Sequence, residues 1–191
     1  MKIDEFYDSV ASEYENIINS PEVNAKLMPK IKELFIKYNI TEGSILDVGC
    51  GPGNLKSVLG DKFNYTGIDV SEKMLFEAKE KGYQVIKGRT EDEITKIHDK
   101  SVDYIISSST LHVVKDLNTV IENFDRIANK GWLITLPDIT ENFMKNFPVD
   151  EPLYNHVNFP IMGVKEDIII HGWTSPSANE DINERVVMRL F

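Results

Sequence analysis

The sequence predicts an α/β fold built on a mostly parallel sheet with helices on both faces. Three observations predict it. Short apolar segments alternate with helix-periodic ones from residue 44 to 137, the pattern of strands joined by crossover helices. A glycine-rich stretch, ILDVGCGPGN at 45–54, leaves the first of these apolar segments. Gly49, Asp69 and Ser107 all fall at the C-terminal ends of predicted strands, where open α/β sheets bind ligands.

Two helices come first. Ile3, Phe6, Val10, Tyr14 and Ile17 recur at three- and four-residue steps, a helical stripe. A second helix is predicted to begin at Pro29, since proline suits the first turn, with Ile31, Leu34, Phe35 and Tyr38 on its buried face. SILDVG is the first strand, and NLKSVLG a weak helix after the glycine loop. YTGIDV is the second strand, ending at Asp69. Ser71 is placed to cap the next helix and Glu72 to complement its dipole. Met74, Leu75 and Ala78 would face the sheet, and Gly82 supplies the stop.

YQVIKG and EDEITKI predict a third strand and a short helix, and VDYIISSS a fourth strand. LNTVIENFDRIANKG carries the clearest helical stripe (Val120, Ile121, Phe124, Ile127, Ala128), closed by Gly131. WLITLPD is the fifth strand. From 138 to 165 Pro148, Pro152 and Pro160 break the regularity, which reads as an irregular lid with some helix. DIIIHGW and ERVVMRLF predict two closing strands around the turn-rich TSPSANEDIN. The reading is one domain, 1–191: a helical cap at 1–40, a ligand-binding core at 44–137, the lid at 138–165 and closing strands at 166–191.

Composition narrows the function. A formal charge of −10 argues against nucleic acid, whose nonspecific affinity comes from lysines and arginines neutralising phosphates. Cys50 is the single cysteine, so no internal disulfide forms, which suits a reducing compartment. MKIDEFYDSV lacks a signal peptide's apolar core, and no apolar run approaches the ~20 residues of a membrane span. A cytoplasmic protein is expected. No His/Cys/Asp/Glu grouping has metal-ligand spacing.

Asp69 lies 20 residues beyond Gly49 (69 − 49), the spacing at which an acid accepts hydrogen bonds from ribose hydroxyls. Gly49, Gly51 and Gly53 give G-x-G-x-G, with Asn54 where the dinucleotide pattern requires glycine. Asp47 would repel a pyrophosphate but would attract a cation by about 1–4 kcal/mol at 4 Å. A nucleoside that is cationic and lacks phosphate satisfies both conditions, and S-adenosylmethionine is one.

ILDVGCGPGN followed by GIDVS resembles the first two motifs of class I S-adenosylmethionine-dependent methyltransferases. VDYIISSSTLHVV, VIENFDRIANKGWLITLP and FYDSVASEYENII resemble that family's fourth-strand motif, its later helix and strand, and the N-terminal helix of its small-molecule members. The resemblance implies a Rossmann-like three-layer sandwich with a mostly parallel seven-stranded sheet and an antiparallel C-terminal strand. It also implies a cofactor site of Asp47, Gly49, Cys50, Gly51, Asp69, Val70, Met74, Arg89, Thr90, Ser107 and Tyr14. In that set Asp47 and the loop backbone hold the methionine end, Asp69 the ribose, and Val70 and Met74 the adenine; Ser107 lines the pocket below the sulfonium, with Leu111 and His112 nearby. Tyr7 joins Tyr14 in closing the pocket.

The chain departs from the family in GRTED, where Arg89 stands at the usual acid that meets the adenine amino group, leaving Thr90, Glu91 or main chain to substitute. His112 and His171 are the candidate catalytic groups, and Tyr154, His156 and Trp173 further candidates for touching the acceptor. SSST stands where base- and amide-methylating enzymes carry an Asp/Asn-Pro-Pro-Tyr-like motif, which favours a small-molecule acceptor. Two other classes are compatible with parts of this pattern: a nicotinamide oxidoreductase, and a non-catalytic relative acting through a partner.

Overall fold

A computed structural model describes residues 1–18, 26–174 and 180–191. The predicted alternation becomes seven strands: β1 Gly43–Val48, β2 Phe63–Asp69, β3 Gln84–Lys87, β4 Val102–Ser107, β5 Ala128–Pro137, β6 Glu166–Thr174 and β7 Asp181–Leu190. The described helices are α1 Ile3–Ile18, α2 Leu27–Lys37, α3 Asn54–Leu59, α4 Glu72–Glu80, α5 Thr90–Glu93, α6 Leu117–Ile127 and α7 Glu141–Asn146. The strands form one sheet in the order β3-β2-β1-β4-β5-β7-β6. Neighbours from β3 to β5 run parallel, and β7 runs antiparallel to both β5 and β6. Strand order reverses at β1 and β4, so the switch-point crevice opens beyond their carboxyl ends.

Alternation along the strands sends consecutive side chains to opposite faces. Ile45, Ile106 and Leu133 join a core cluster with α2 residues Ile31, Leu34 and Phe35. Leu46, Ile105 and Ile134 join the other cluster, beneath Val120, Phe124 and Ile127 of α6. Because both faces are covered, β1 from Ile45 to Val48 is buried without a break. Ser71 caps α4 by accepting from Met74 N at 3.1 Å, and Met74, Leu75 and Ala78 are buried as their spacing predicts.

Several boundaries differ from the sequence reading, and three of them have a clear physical reason. Helix α2 starts at Leu27, two residues before Pro29, because Leu27 is itself a core side chain. Helix α6 ends at Ile127, and Ala128 already pairs with Val102 in the sheet. The ladder with β4 thus overrides the helical stripe at Ala128. Gly131 does not close the helix; it lies inside β5 at φ +152°, where a Cβ would sit 2.2 Å from the Arg189 carbonyl oxygen. Close approach of β7 requires the glycine there. EDEITKI also divides, into α5 and a separate 3-10 turn at Ile94–Lys96. Part of TSPSANEDIN lies outside the described residues. No helix among the described residues is long and apolar enough to cross a membrane.

Candidate functional site

A cavity of about 370 Å³ opens beyond the carboxyl ends of β1, β2 and β4. Its floor is the glycine loop. Gly49, Gly51 and Gly53 all have positive φ (72°, 50° and 78°), which L side chains adopt only with strain. This backbone turns sharply enough for Gly49 and Cys50 N–H to donate to the Ile68 carbonyl of β2 at 2.8 and 3.1 Å. Asp69 locks the loop from the neighbouring strand. Its Oδ2 accepts from Gly51 N–H and its Oδ1 from Ser71 N–H, each at 2.9 Å. Burial raises the Asp69 carboxyl above the ordinary range, and these backbone bonds oppose the shift.

Asp47 lies deeper, only 4 % exposed on β1, and still reaches the cavity wall. Burial pushes its carboxyl up to about 7, while the Tyr83 hydroxyl, donating to Oδ2 at 3.1 Å, pulls the other way. Asp47 and Asp69 therefore face one cavity that Glu91 also borders and whose remaining lining is chiefly apolar, and Val70 and Met74 bound it beside Asp69. Burial of an anion at such a wall is costly unless a cation or hydrogen-bond donors meet it.

The roof comes from α1 and the segment after β5. Tyr7 and Tyr14 line the cavity with their rings 6.0 Å apart, and burial raises both phenols above their ordinary range. Phe6 meets Phe147 edge-on at 4.9 Å, and Phe147 stacks on Phe143 of α7 at 5.2 Å. Helix α1 is anchored there by Asp8, which accepts from the Ser71 hydroxyl at 2.5 Å and from Lys73 N–H at 3.2 Å. Glu151 adds a second anchor, accepting from Ile3 N–H at 2.9 Å and from Arg89 at 2.6 Å.

Residues 46–135 match the model of a family described as "Methyltransferase domain". Over that stretch the chain carries the sequence pattern of a methyltransferase domain. A Bacillus subtilis protein named for a methyltransferase, YqeM, is 37 % identical over 109 residues, covering 53 % of this chain and 44 % of its own length. A demethylmenaquinone methyltransferase of Staphylococcus epidermidis is 27 % identical over 142 residues, covering 69 % of this chain and 58 % of its own. The chain thus spans about half the length of these relatives. In fold, it is similar to magnesium protoporphyrin IX methyltransferase from Synechocystis PCC 6803 with bound SAH, at TM-score 0.67 and 14 % identity over 98 % of this chain and 97 % of that one.

The fold brings most of the residues expected to hold a cofactor around this one cavity. Asp47, Gly49, Cys50 and Gly51 come from β1 and its loop, and Tyr14 from α1. Asp69, Val70, Met74, Arg89 and Thr90 come from the end of β2 and from the segments after β2 and β3. The Cys50 sulfur packs on β2, where a Cβ added to Gly67 would meet it at 2.4 Å. Ser107 is not on the wall: it is fully buried, and its hydroxyl donates to the Val48 carbonyl at 3.0 Å. Its successors Ser108, Ser109 and Thr110 line the cavity instead, because β4 ends at Ser107 and the chain turns there.

His112 reaches the cavity from the 3-10 turn after β4. Its Nδ1 is buried without a partner, and burial, with His156 nearby, lowers the ring to about 4, so it is neutral at physiological pH. His156 instead bonds the Val114 carbonyl at 2.8 Å. Tyr154 stacks on His156, and neither lines the cavity. The side chains of His171 and Trp173 lie outside the described residues; their backbone is in β6, at the far edge of the sheet from β3. Among the described residues no group of three or more His, Cys, Asp or Glu could hold a metal ion.

Two groups escaped the sequence reading. Tyr83 looked like the start of a strand, and its hydroxyl is the partner of Asp47. Glu184 read only as the first residue of a closing strand, but it is fully buried and accepts a hydrogen bond from the Ser109 hydroxyl. The signal was present: in DINERVV, Ile182, Glu184 and Val186 share one face by alternation, which puts a carboxylate among apolar positions.

Proposed function

We propose that this protein transfers the methyl group of S-adenosylmethionine to a small, largely apolar acceptor. The observation that carries the proposal is one cavity in which Asp47, Asp69 and the glycine-loop backbone share a floor beneath an aromatic roof. The residues fit the cofactor. Asp69 sits where ribose hydroxyls meet a β2 carboxylate, Asp47 where an ammonium neutralises a buried charge, and Val70 and Met74 where adenine is sandwiched. An added Cβ at Gly51 meets only Tyr14, at 3.7 Å, so the loop presents open backbone to a ligand.

Bound there, S-adenosylmethionine supplies a methyl group already activated on a sulfonium. The protein's task is then alignment and exclusion of water, which contribute up to about 7–11 kcal/mol in well-oriented reactions. Tyr7, Tyr14, Phe143 and Phe147 close the site, with 138–165 acting as the lid. His112, held neutral, offers the acceptor a hydrogen bond rather than a charge. The apolar roof disfavours anionic acceptors. The chain's charge of −10 and its single buried cysteine support a cytoplasmic enzyme acting on a metabolite rather than on nucleic acid.

Arg89 does not serve adenine in the usual acidic way. Its guanidinium is turned to Glu151, which leaves Thr90 and the main chain of 88–91 as the adenine edge. Binding calorimetry with S-adenosylmethionine, S-adenosylhomocysteine and NAD tests the proposal. Binding of both adenosyl ligands without NAD is expected; binding of NAD alone would overturn it.

A further inference from the structure

Glu184 is a fully buried carboxylate to which alignment of the methyl donor assigns no task. It projects from β7 under the turn that follows β4. Its Oε1 accepts from the Ser109 hydroxyl, and its Oε2 is buried without a hydrogen-bond partner. Ser109 lines the cavity and is held rigidly: its φ is +53°, uncommon for a serine, and its N–H donates to Thr135 Oγ1 on β5 at 2.8 Å. The same turn abuts the cofactor loop. Thr110 Oγ1 lies 3.0 Å from the Ser108 carbonyl oxygen and 3.3 Å from that of Gly49, its proton shared between them, and a Cβ on Gly49 would lie 2.1 Å from that hydroxyl.

Resting on the methyl-transfer reading, we propose that Ser109 and Glu184 form the proton exit for an acceptor that reacts through a hydroxyl group. Ser109 is the group that touches the acceptor, and Glu184 works through it. As the acceptor oxygen gains the methyl, the methyl–sulfur bond breaks and its electron pair stays on sulfur. The acceptor's proton moves to Ser109 Oγ while the serine's own proton passes to Glu184 Oε1. The hydrogen bond already runs in that direction, leaving the serine oxygen's lone pairs free to accept. Charge balances, since one positive charge on sulfur and one negative charge on Glu184 disappear together.

The surroundings of Glu184 explain why the charge of the bound ligand sets its state. Ser109 faces it from the turn after β4, Thr135 from β5, Tyr14 from α1, and Ile170 is its register partner on β6. None of these is a cation, and among the described residues no lysine or arginine forms an ion pair with it. Burial raises its carboxyl above the ordinary range, with the Ser109 and Thr135 hydroxyls opposing that shift. A positive charge in the cavity therefore favours ionised Glu184, ready to receive a proton, and its loss favours the protonated form that retains it.

Proton counting tests this without any acceptor. Calorimetric titrations with S-adenosylmethionine and S-adenosylhomocysteine, each in phosphate and in Tris at pH 7, give the protons released on binding. Both ligands carry the ammonium that faces Asp47, so that effect cancels, and Asp47→Asn, which should keep the difference between the two ligands, excludes an Asp47 response to the sulfonium. The intact protein is expected to release more protons with the sulfonium ligand than with the thioether. Glu184→Gln should abolish that difference while both affinities stay within threefold. Ser109→Ala, which retains the carboxylate, should keep the difference. With 1-naphthol as a hydroxyl probe, Glu184→Gln and Ser109→Ala should lower kcat at least 100-fold with an unchanged KM for S-adenosylmethionine, and Glu184→Asp should recover part of the loss. Equal proton release by the two ligands in the intact protein, or a difference that survives Glu184→Gln, overturns the proposal. Should Glu184→Gln fail to fold, a missing difference in the intact protein still decides against it. Failure of both ligands to bind the intact protein sinks the cofactor reading itself and this proposal with it.

Discussion

Tyr83 donates its hydroxyl to Asp47 Oδ2 at 3.1 Å, joining the start of β3 to the buried carboxylate of β1. The donor is itself fixed, 4 % exposed and stacked on Tyr65 at 5.0 Å. Tyr83→Phe leaves the ring packing intact but strips a buried acceptor of its donor. We expect a loss of about 1–2 kcal/mol in stability and an Asp47 carboxyl raised beyond its already high value. A thermal melt and an NMR titration of the aspartate carboxyls check both.

The pH dependence has a definite sign. Asp47 titrates near 7 in the folded protein, far above its unfolded value of 3.8. Between these values the native state keeps a proton that the unfolded state has lost, so this group's contribution to stability falls as pH rises through about 4 to 7. Cofactor affinity should move the other way, strengthening from pH 6 to 8 as Asp47 ionises to meet an ammonium. Asp47→Asn should flatten both slopes, measured by denaturant titration and by calorimetry across pH.

Gly49 and Gly60 separate steric from backbone cost. At Gly49 (φ +72°) a Cβ would meet Thr110 at 2.1 Å; at Gly60 (φ +87°) it would meet nothing within 4 Å. Gly60→Ala should cost about 1–3 kcal/mol from backbone strain alone. Gly49→Ala should cost roughly 3–5 kcal/mol and displace the turn carrying Ser109. Melting temperatures of the two variants, with cofactor titrations of each, give the comparison.

Glu151 ties the roof to the floor by holding both Arg89 and the Ile3 N–H. The ion pair is partly exposed, at 40 % and 27 %, so its stability contribution is about 0–1 kcal/mol. Its effect should show in dynamics instead. Glu151→Ala is expected to raise amide exchange across residues 3–10 with little change in melting temperature.

Much of the fold and of the cavity lining was legible in the sequence because it depends on local pattern. The apolar runs before Gly49 and Asp69, the Ser71 cap and the α4 stripe each specify their own backbone within a few residues. What was not legible depends on long-range pairing. Ala128 looks helical by spacing, yet the ladder with Val102 claims it. Ser107 sits at the predicted strand end, but the turn beyond it decides which hydroxyls reach the cavity. Glu184 becomes a buried acid only once β7 pairs antiparallel with β5, bringing it opposite Pro137 and beneath Ser109. Arg89 was visible as an anomaly, but its partner lies 62 residues away.

The central claim is that Asp69, with the glycine loop, binds the cofactor's ribose. Calorimetric titration of the intact protein and of a folded Asp69→Ala variant with S-adenosylmethionine tests it most directly. At least a tenfold loss of affinity, about 1.4 kcal/mol, is expected in the variant. An unchanged affinity in a variant that melts cooperatively would contradict it.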